Sequence, residues 1–195
     1  MGVRDTTPRP GYSVVPCPPN LIPHYVGPKQ EVLWIGCSDS GFEETTVLDI
    51  PLEESIVLRD VANMALPEDL AAASMMQYAV DVLRVRHIVI CGHYECGIVK
   101  ASDTWNGLKG PWFHKLQELR NISNPALQAV DSEHRDGRFV ELNVLEQMKR
   151  VHDFPEVKAA AAQRDLKVHG IVYSRTWNKA VQLIPDGQET DWLHR

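Results

Sequence analysis

Two short apolar runs in this chain each end in a cluster of metal-type side chains. Val32-Leu33-Trp34-Ile35 leads into Cys37-Ser38-Asp39-Ser40-Gly41, and His87-Ile88-Val89-Ile90-Cys91-Gly92 leads into His93-Tyr94-Glu95-Cys96-Gly97. Unbroken apolar runs of this length suit strands buried on both faces, as in a parallel sheet. Parallel strands need crossover connections, and the sequence supplies helical periodicity between them. Pro67 stands at the start of a helical pattern over residues 68–86, where Leu70, Ala73, Met76, Val80 and Leu83 recur at three- and four-residue spacing. Further helical patterns cover residues 111–120, 139–151 and 156–164. Strands are expected at 31–36, 55–58, 87–91 and 168–173, with a short one around 180–184. This alternation predicts an α/β fold with a mostly parallel central sheet flanked by helices.

A length of 195 residues fits one domain. Residues 1–30 are punctuated by Pro8, Pro10, Pro16, Pro18, Pro19, Pro23 and Pro28. They read as an extended arm preceding a single domain over 31–195. The formal charge of −6 and the lack of a basic stripe argue against a nucleic-acid partner. No apolar stretch approaches the ~20 residues that span a bilayer, so no membrane partner is expected. The first residues lack an apolar signal core, which predicts a cytoplasmic protein. Four cysteines in a chain of this size do not form a disulfide framework. Cys17 reads as an incidental thiol and Cys91 as a small buried residue.

Functional side chains of parallel sheets gather at the C-terminal strand edge, where both motifs fall. Two thiols, an imidazole and a carboxylate suit a tetrahedral zinc ion, with an oxygen in the fourth position. The identity of that fourth ligand decides whether such a site is open or sealed.

The runs Trp34-Ile35-Gly36-Cys37-Ser38-Asp39-Ser40 and Cys91-Gly92-His93-Tyr94-Glu95-Cys96-Gly97 resemble the zinc motifs of β-class carbonic anhydrases. The resemblance continues through Arg59-Asp60-Val61-Ala62-Asn63, Tyr78-Ala79-Val80, Asn143-Val144-Leu145 and Val168-His169-Gly170-Ile171-Val172-Tyr173. It implies a four-stranded parallel core, a homodimer or higher homo-oligomer, Zn²⁺ as cofactor, and reversible hydration of carbon dioxide to bicarbonate. It also implies Cys37, His93 and Cys96 as the protein ligands of zinc and Asp39 as the catalytic carboxylate. Trp34, Arg59 and Tyr173 match positions at which some members bind a second, non-catalytic bicarbonate.

The sequence departs from the family pattern at Gly41, where an arginine usually pairs with the aspartate and draws it off the metal. A glycine cannot form that bidentate pair. An unpaired carboxylate in a partly dry pocket is costly, by several kcal/mol. Asp39 can then bind the zinc as a fourth ligand, take up a proton, or turn into the space left by the arginine. The first closes the coordination sphere, and the last leaves the carboxylate poorly oriented. A carbonic anhydrase of weak activity is therefore expected, the alternative being a catalytically poor zinc protein that binds bicarbonate or another small anion.

Overall fold

A computed structural model describes residues 8–25, 29–43, 45–104 and 110–186. In chain order its main elements are β1 (Tyr12–Pro16), β2 (Val32–Cys37), α1 (Thr45–Leu48), β3 (Ser55–Asp60), α2 (Leu70–Gln77), β4 (His87–His93), α3 (Gly97–Thr104), α4 (Pro111–Gln128), α5 (Arg135–Asp153), α6 (Pro155–Gln163), β5 (Lys167–Ser174) and β6 (Lys179–Pro185). The strands form one sheet in the order β1-β6-β5-β4-β2-β3. The four strands β5-β4-β2-β3 are parallel, β6 runs antiparallel to β5, and β1 runs antiparallel to β6. The α/β fold with a mostly parallel central sheet flanked by helices is as the sequence predicts, and the four-stranded parallel core is as the resemblance implies.

Strands β2 and β4 are buried along their whole length. Alternation along β2 sends Leu33, Ile35 and Cys37 to one face of the sheet and Val32 and Trp34 to the other. The first face lies under the helices, and Phe139, Val140, Val144 and Met148 of α5 form its centre. The second is covered by Leu21, Ile22, Phe42, Val47, Leu48 and Ile50. Irregular chain and one short helix thus occupy a layer that longer helices fill in a doubly wound sheet.

Three elements differ from the sequence expectation. Part of the Pro-rich arm is a strand: Tyr12 pairs with Pro185, and Pro16 with Val181. Pro16 stands at the end of an edge strand, where a missing N–H is tolerated. The helix expected over 68–86 starts at Leu70, after Asp69 accepts from the N–H groups of Ala71 and Ala72. It widens into a π-type segment over Tyr78–Leu83 and ends at Arg84 in the left-handed region (φ 57°). Helix α3 was not expected, and it begins at the residue after Cys96.

Candidate metal centre

The sheet itself brings the two motifs together. Strands β2 and β4 are neighbours, with Gly36 opposite Cys91, so both end at the same edge. Cys37 is the last residue of β2 and His93 the last of β4. The chain then turns through Tyr94 and Glu95, whose φ of 65° reverses its direction, and delivers Cys96 to the start of α3. Tyr94 N–H donates to Tyr173 O at 2.9 Å and anchors this turn to β5.

Donor atoms of Cys37, His93 and Cys96 all lie within 4.8 Å of one another, and all three residues are buried. The two Sγ atoms are 3.8 Å apart, well beyond a disulfide. A tetrahedral zinc with Zn–S bonds of about 2.3 Å requires two sulfurs to stand about 3.8 Å apart. Nε2 of His93 is buried without a hydrogen-bond partner among the described residues. An imidazole nitrogen left bare beside two thiols fits a metal ligand. The hydrogen bond from Cys96 pulls the Cys37 thiol pKa down, and the same bond pushes that of Cys96 up. The pair therefore favours one thiolate and one thiol, and metal binding would displace the remaining proton.

Asp39 stands outside this three-residue donor group. Its Oδ2 accepts from the Gly97 N–H at 2.7 Å. A Cβ at Gly97 would come 3.1 Å from that oxygen, so the glycine gives the carboxylate its approach.

Gly41 adopts φ +63°, a region L side chains rarely enter. The space a side chain would take is filled: a Cβ there would overlap Nη2 of Arg175. That nitrogen donates to Ser40 O at 3.1 Å and to Gly41 O at 2.7 Å. Sequence reading missed Arg175, since nothing local connects it to Gly41 across 134 residues.

The remaining expected site residues lie close by. Arg59 Nη1 donates to Cys37 O (3.2 Å) and Ser40 Oγ (2.6 Å), and its Nη2 to Phe42 O (2.8 Å). Tyr173 Oη donates to Asn178 Oδ1 at 2.8 Å. Trp34 is fully buried, and its Nε1 has no partner among the described residues. Phe42, also missed from sequence, packs on Tyr173 with centroids 4.6 Å apart and rings tilted by 50°, and stands edge-on to His93 at 6.2 Å.

Beneath the site, Glu141 of α5 is 1% exposed. It accepts from Tyr94 Oη (2.9 Å), from Tyr12 Oη (2.7 Å) and from two nitrogens of Arg9 (2.8 and 3.1 Å). Burial, then the Glu141 charge, raises the pKa of both tyrosines well above the phenol range and keeps them as donors. A groove of about 630 Å³ opens at the opposite edge of the parallel strands, lined by residues that include Tyr25, His87, Arg164 and His169. It contains none of the three donors.

Comparison with known proteins agrees with this fold. The carbonic anhydrase family profile matches residues 32–178. A carbonic anhydrase of Emericella nidulans is 34% identical over 154 residues, covering 77% of this chain and 65% of the relative. The chain thus spans just under two thirds of the length of that curated relative. The β-carbonic anhydrase CafD of Aspergillus fumigatus superposes with a TM-score of 0.78 at 36% identity, over 88% of this chain and 99% of CafD. One of the tetrameric β-carbonic anhydrases of Sordaria macrospora superposes with a TM-score of 0.74 at 34% identity, over 80% of this chain and 81% of that one.

Proposed function

Because the chain belongs to the β-class carbonic anhydrase family, we propose that it catalyses the zinc-dependent, reversible hydration of carbon dioxide to bicarbonate. The observation that carries this reading is the buried donor set of two thiols 3.8 Å apart and an imidazole whose Nε2 has no hydrogen-bond partner among the described residues. Cys37 Sγ, Cys96 Sγ and His93 Nε2 would hold the ion. Zinc bound in this way supplies a Lewis acid that lowers the pKa of a water ligand toward ~7.

The chain's own groups have separate tasks. Asp39 is tied to Gly97 through Oδ2, which leaves Oδ1 to accept a hydrogen bond at the mouth of the site. Phe42, seated between His93 and Tyr173, forms an apolar wall suited to an uncharged, nonpolar substrate. Arg59 holds the backbone of the Cys37–Phe42 turn that carries Asp39.

With glycine at 41, no residue of the Asp39 turn itself can pair with that carboxylate. The proposed enzyme is accordingly slow, by roughly 10²-fold for an imperfectly oriented catalytic group. Stopped-flow hydration by the zinc-replete protein tests both statements. No rate above buffer would leave the anion-binding alternative, and a rate equal to that of ordinary family members would remove the argument from Gly41. The bare Trp34 Nε1 favours a second role, binding of bicarbonate near Arg59 and Tyr173. A crystal at saturating bicarbonate with no anion there would end that idea. A homodimer or higher homo-oligomer fits the tetrameric relatives of Sordaria macrospora. Thiolate ligands suit a reducing compartment such as the cytoplasm, and no helix among the described residues is long and apolar enough to cross a membrane.

A further inference from the structure

The turn that carries Asp39 is gripped by two arginines from outside it. Arg59 reaches it from β3. Arg175 reaches it from the β5–β6 connection and places one nitrogen on both the Ser40 and Gly41 carbonyls. The same connection touches the second ligand loop. Thr176 Oγ1 donates to Glu95 Oε1 at 3.3 Å, and the Trp177 ring stands edge-on to Tyr94 at 6.3 Å. Residues 175–177 therefore bridge the loop after Cys37 and the loop between His93 and Cys96.

We propose that Arg175 is a positioning residue that fills the space beside Gly41 and holds the backbone of the Asp39 turn, without restoring the pairing to the Asp39 carboxylate, with residues 175–177 acting as a clasp across both ligand loops. Gly41 is then the complement of Arg175. Any side chain at 41 would evict the guanidinium and would also carry the strain of a positive φ. An arginine introduced at 41 would exchange one guanidinium for another and leave two like charges side by side. The Arg175–Gly41 contact is a property of the chain alone, while its effect on the site rests on the zinc reading above.

The test is a double-mutant cycle on the full chain: Gly41→Ala, Arg175→Ala and both together, with Arg175→Lys as the conservative variant. Thermal unfolding is followed in metal-free and zinc-loaded protein, and visible absorption in cobalt(II)-loaded protein. Arg175→Ala should lower the midpoint by about 2–4 °C, and Gly41→Ala by more. The double variant should fall no lower than Gly41→Ala alone, because the alanine at 41 has already displaced Arg175. Arg175→Ala should shift the cobalt bands as the Asp39 turn loosens. Arg175→Lys should restore them, since a single nitrogen serves both carbonyls. Additive midpoint losses, or cobalt bands unmoved by Arg175→Ala, overturn the proposal. Failure of the wild type to take up either metal refutes the zinc reading instead, and the metal-free cycle still decides the Arg175–Gly41 contact.

Discussion

Tyr94 follows the proposed ligand His93 directly and donates its hydroxyl to the buried Glu141 at 2.9 Å. The loop between His93 and Cys96 is thereby fastened to α5, and through Arg9 and Tyr12 the same carboxylate fastens the N-terminal arm.

Glu141 should therefore be a stability residue whose loss is felt at the site. Its neighbour Arg138, with its side chain 2% exposed, approaches it at 3.5 Å. Glu141→Ala would remove the buried acceptor shared by Arg9, Tyr12 and Tyr94, at a cost of about 3–5 kcal/mol. Tyr94→Phe removes one bond to a charged acceptor and should cost about 1.5–3 kcal/mol. Urea unfolding of the two variants checks the order; a Tyr94→Phe loss as large as that of Glu141→Ala would contradict it.

Cys37→Ser, Cys96→Ser and His93→Ala should each lower bound zinc from about one ion per chain to a small fraction, measured by elemental analysis after dialysis. Asp39→Asn should keep the metal, because Asp39 stands outside the donor group. Chelation of the wild type should lower its unfolding midpoint, since a ligand bound to the folded state stabilises it. Zinc retained by the His93→Ala variant would disprove the assignment of that nitrogen.

Stability should fall between pH 6.5 and pH 4. His87 Nδ1 and His169 Nε2 lie 3.0 Å apart, and Tyr25 Oη is 2.7 Å from His87 Nε2. Burial holds both imidazoles at about 4, with Lys167 adding to the effect in each. In this window the unfolded chain binds more protons than the folded one. The contribution is complete above the unfolded value near 6.5 and is lost as pH falls toward about 4. Urea midpoints at pH 7, 6 and 5 should decline in that order, and His169→Gln should flatten the slope. An equal slope in the variant would show that the buried pair is not the cause.

Substituting Phe42 by Ala should reduce hydration while leaving zinc content unchanged. The ring contacts Tyr173 and His93, and its loss would open an apolar wall to water. The activity ratio and the metal content of the same preparation check this. A full rate in the variant would assign Phe42 to packing alone.

The parallel core was legible because β2 and β4 are apolar on both faces, a pattern few other environments require. That Cys37, His93 and Cys96 come together was legible for the same reason, since each motif starts where an apolar run stops. Strand β1 was not, because its pairing with β6 joins Tyr12 to Pro185 across the whole chain and the prolines signal only an extended backbone. Helix α3 was hidden by a short segment with little room for periodicity to show. Gly41 was legible as a missing side chain but not as a filled space. What fills it comes from a turn that only the β5–β6 pairing brings near.

Cys37 and His93 end strands and Cys96 immediately precedes a helix, whereas Asp39, Gly41, Phe42 and Arg175, to which the proposals above give supporting roles, sit in turns and loops. Turns accept substitution far more readily than central strands. On the proposed function, a lineage built on this plan can drift in turnover rate while keeping its hold on the metal, and the separation gives selection two nearly independent dials on one small sheet edge.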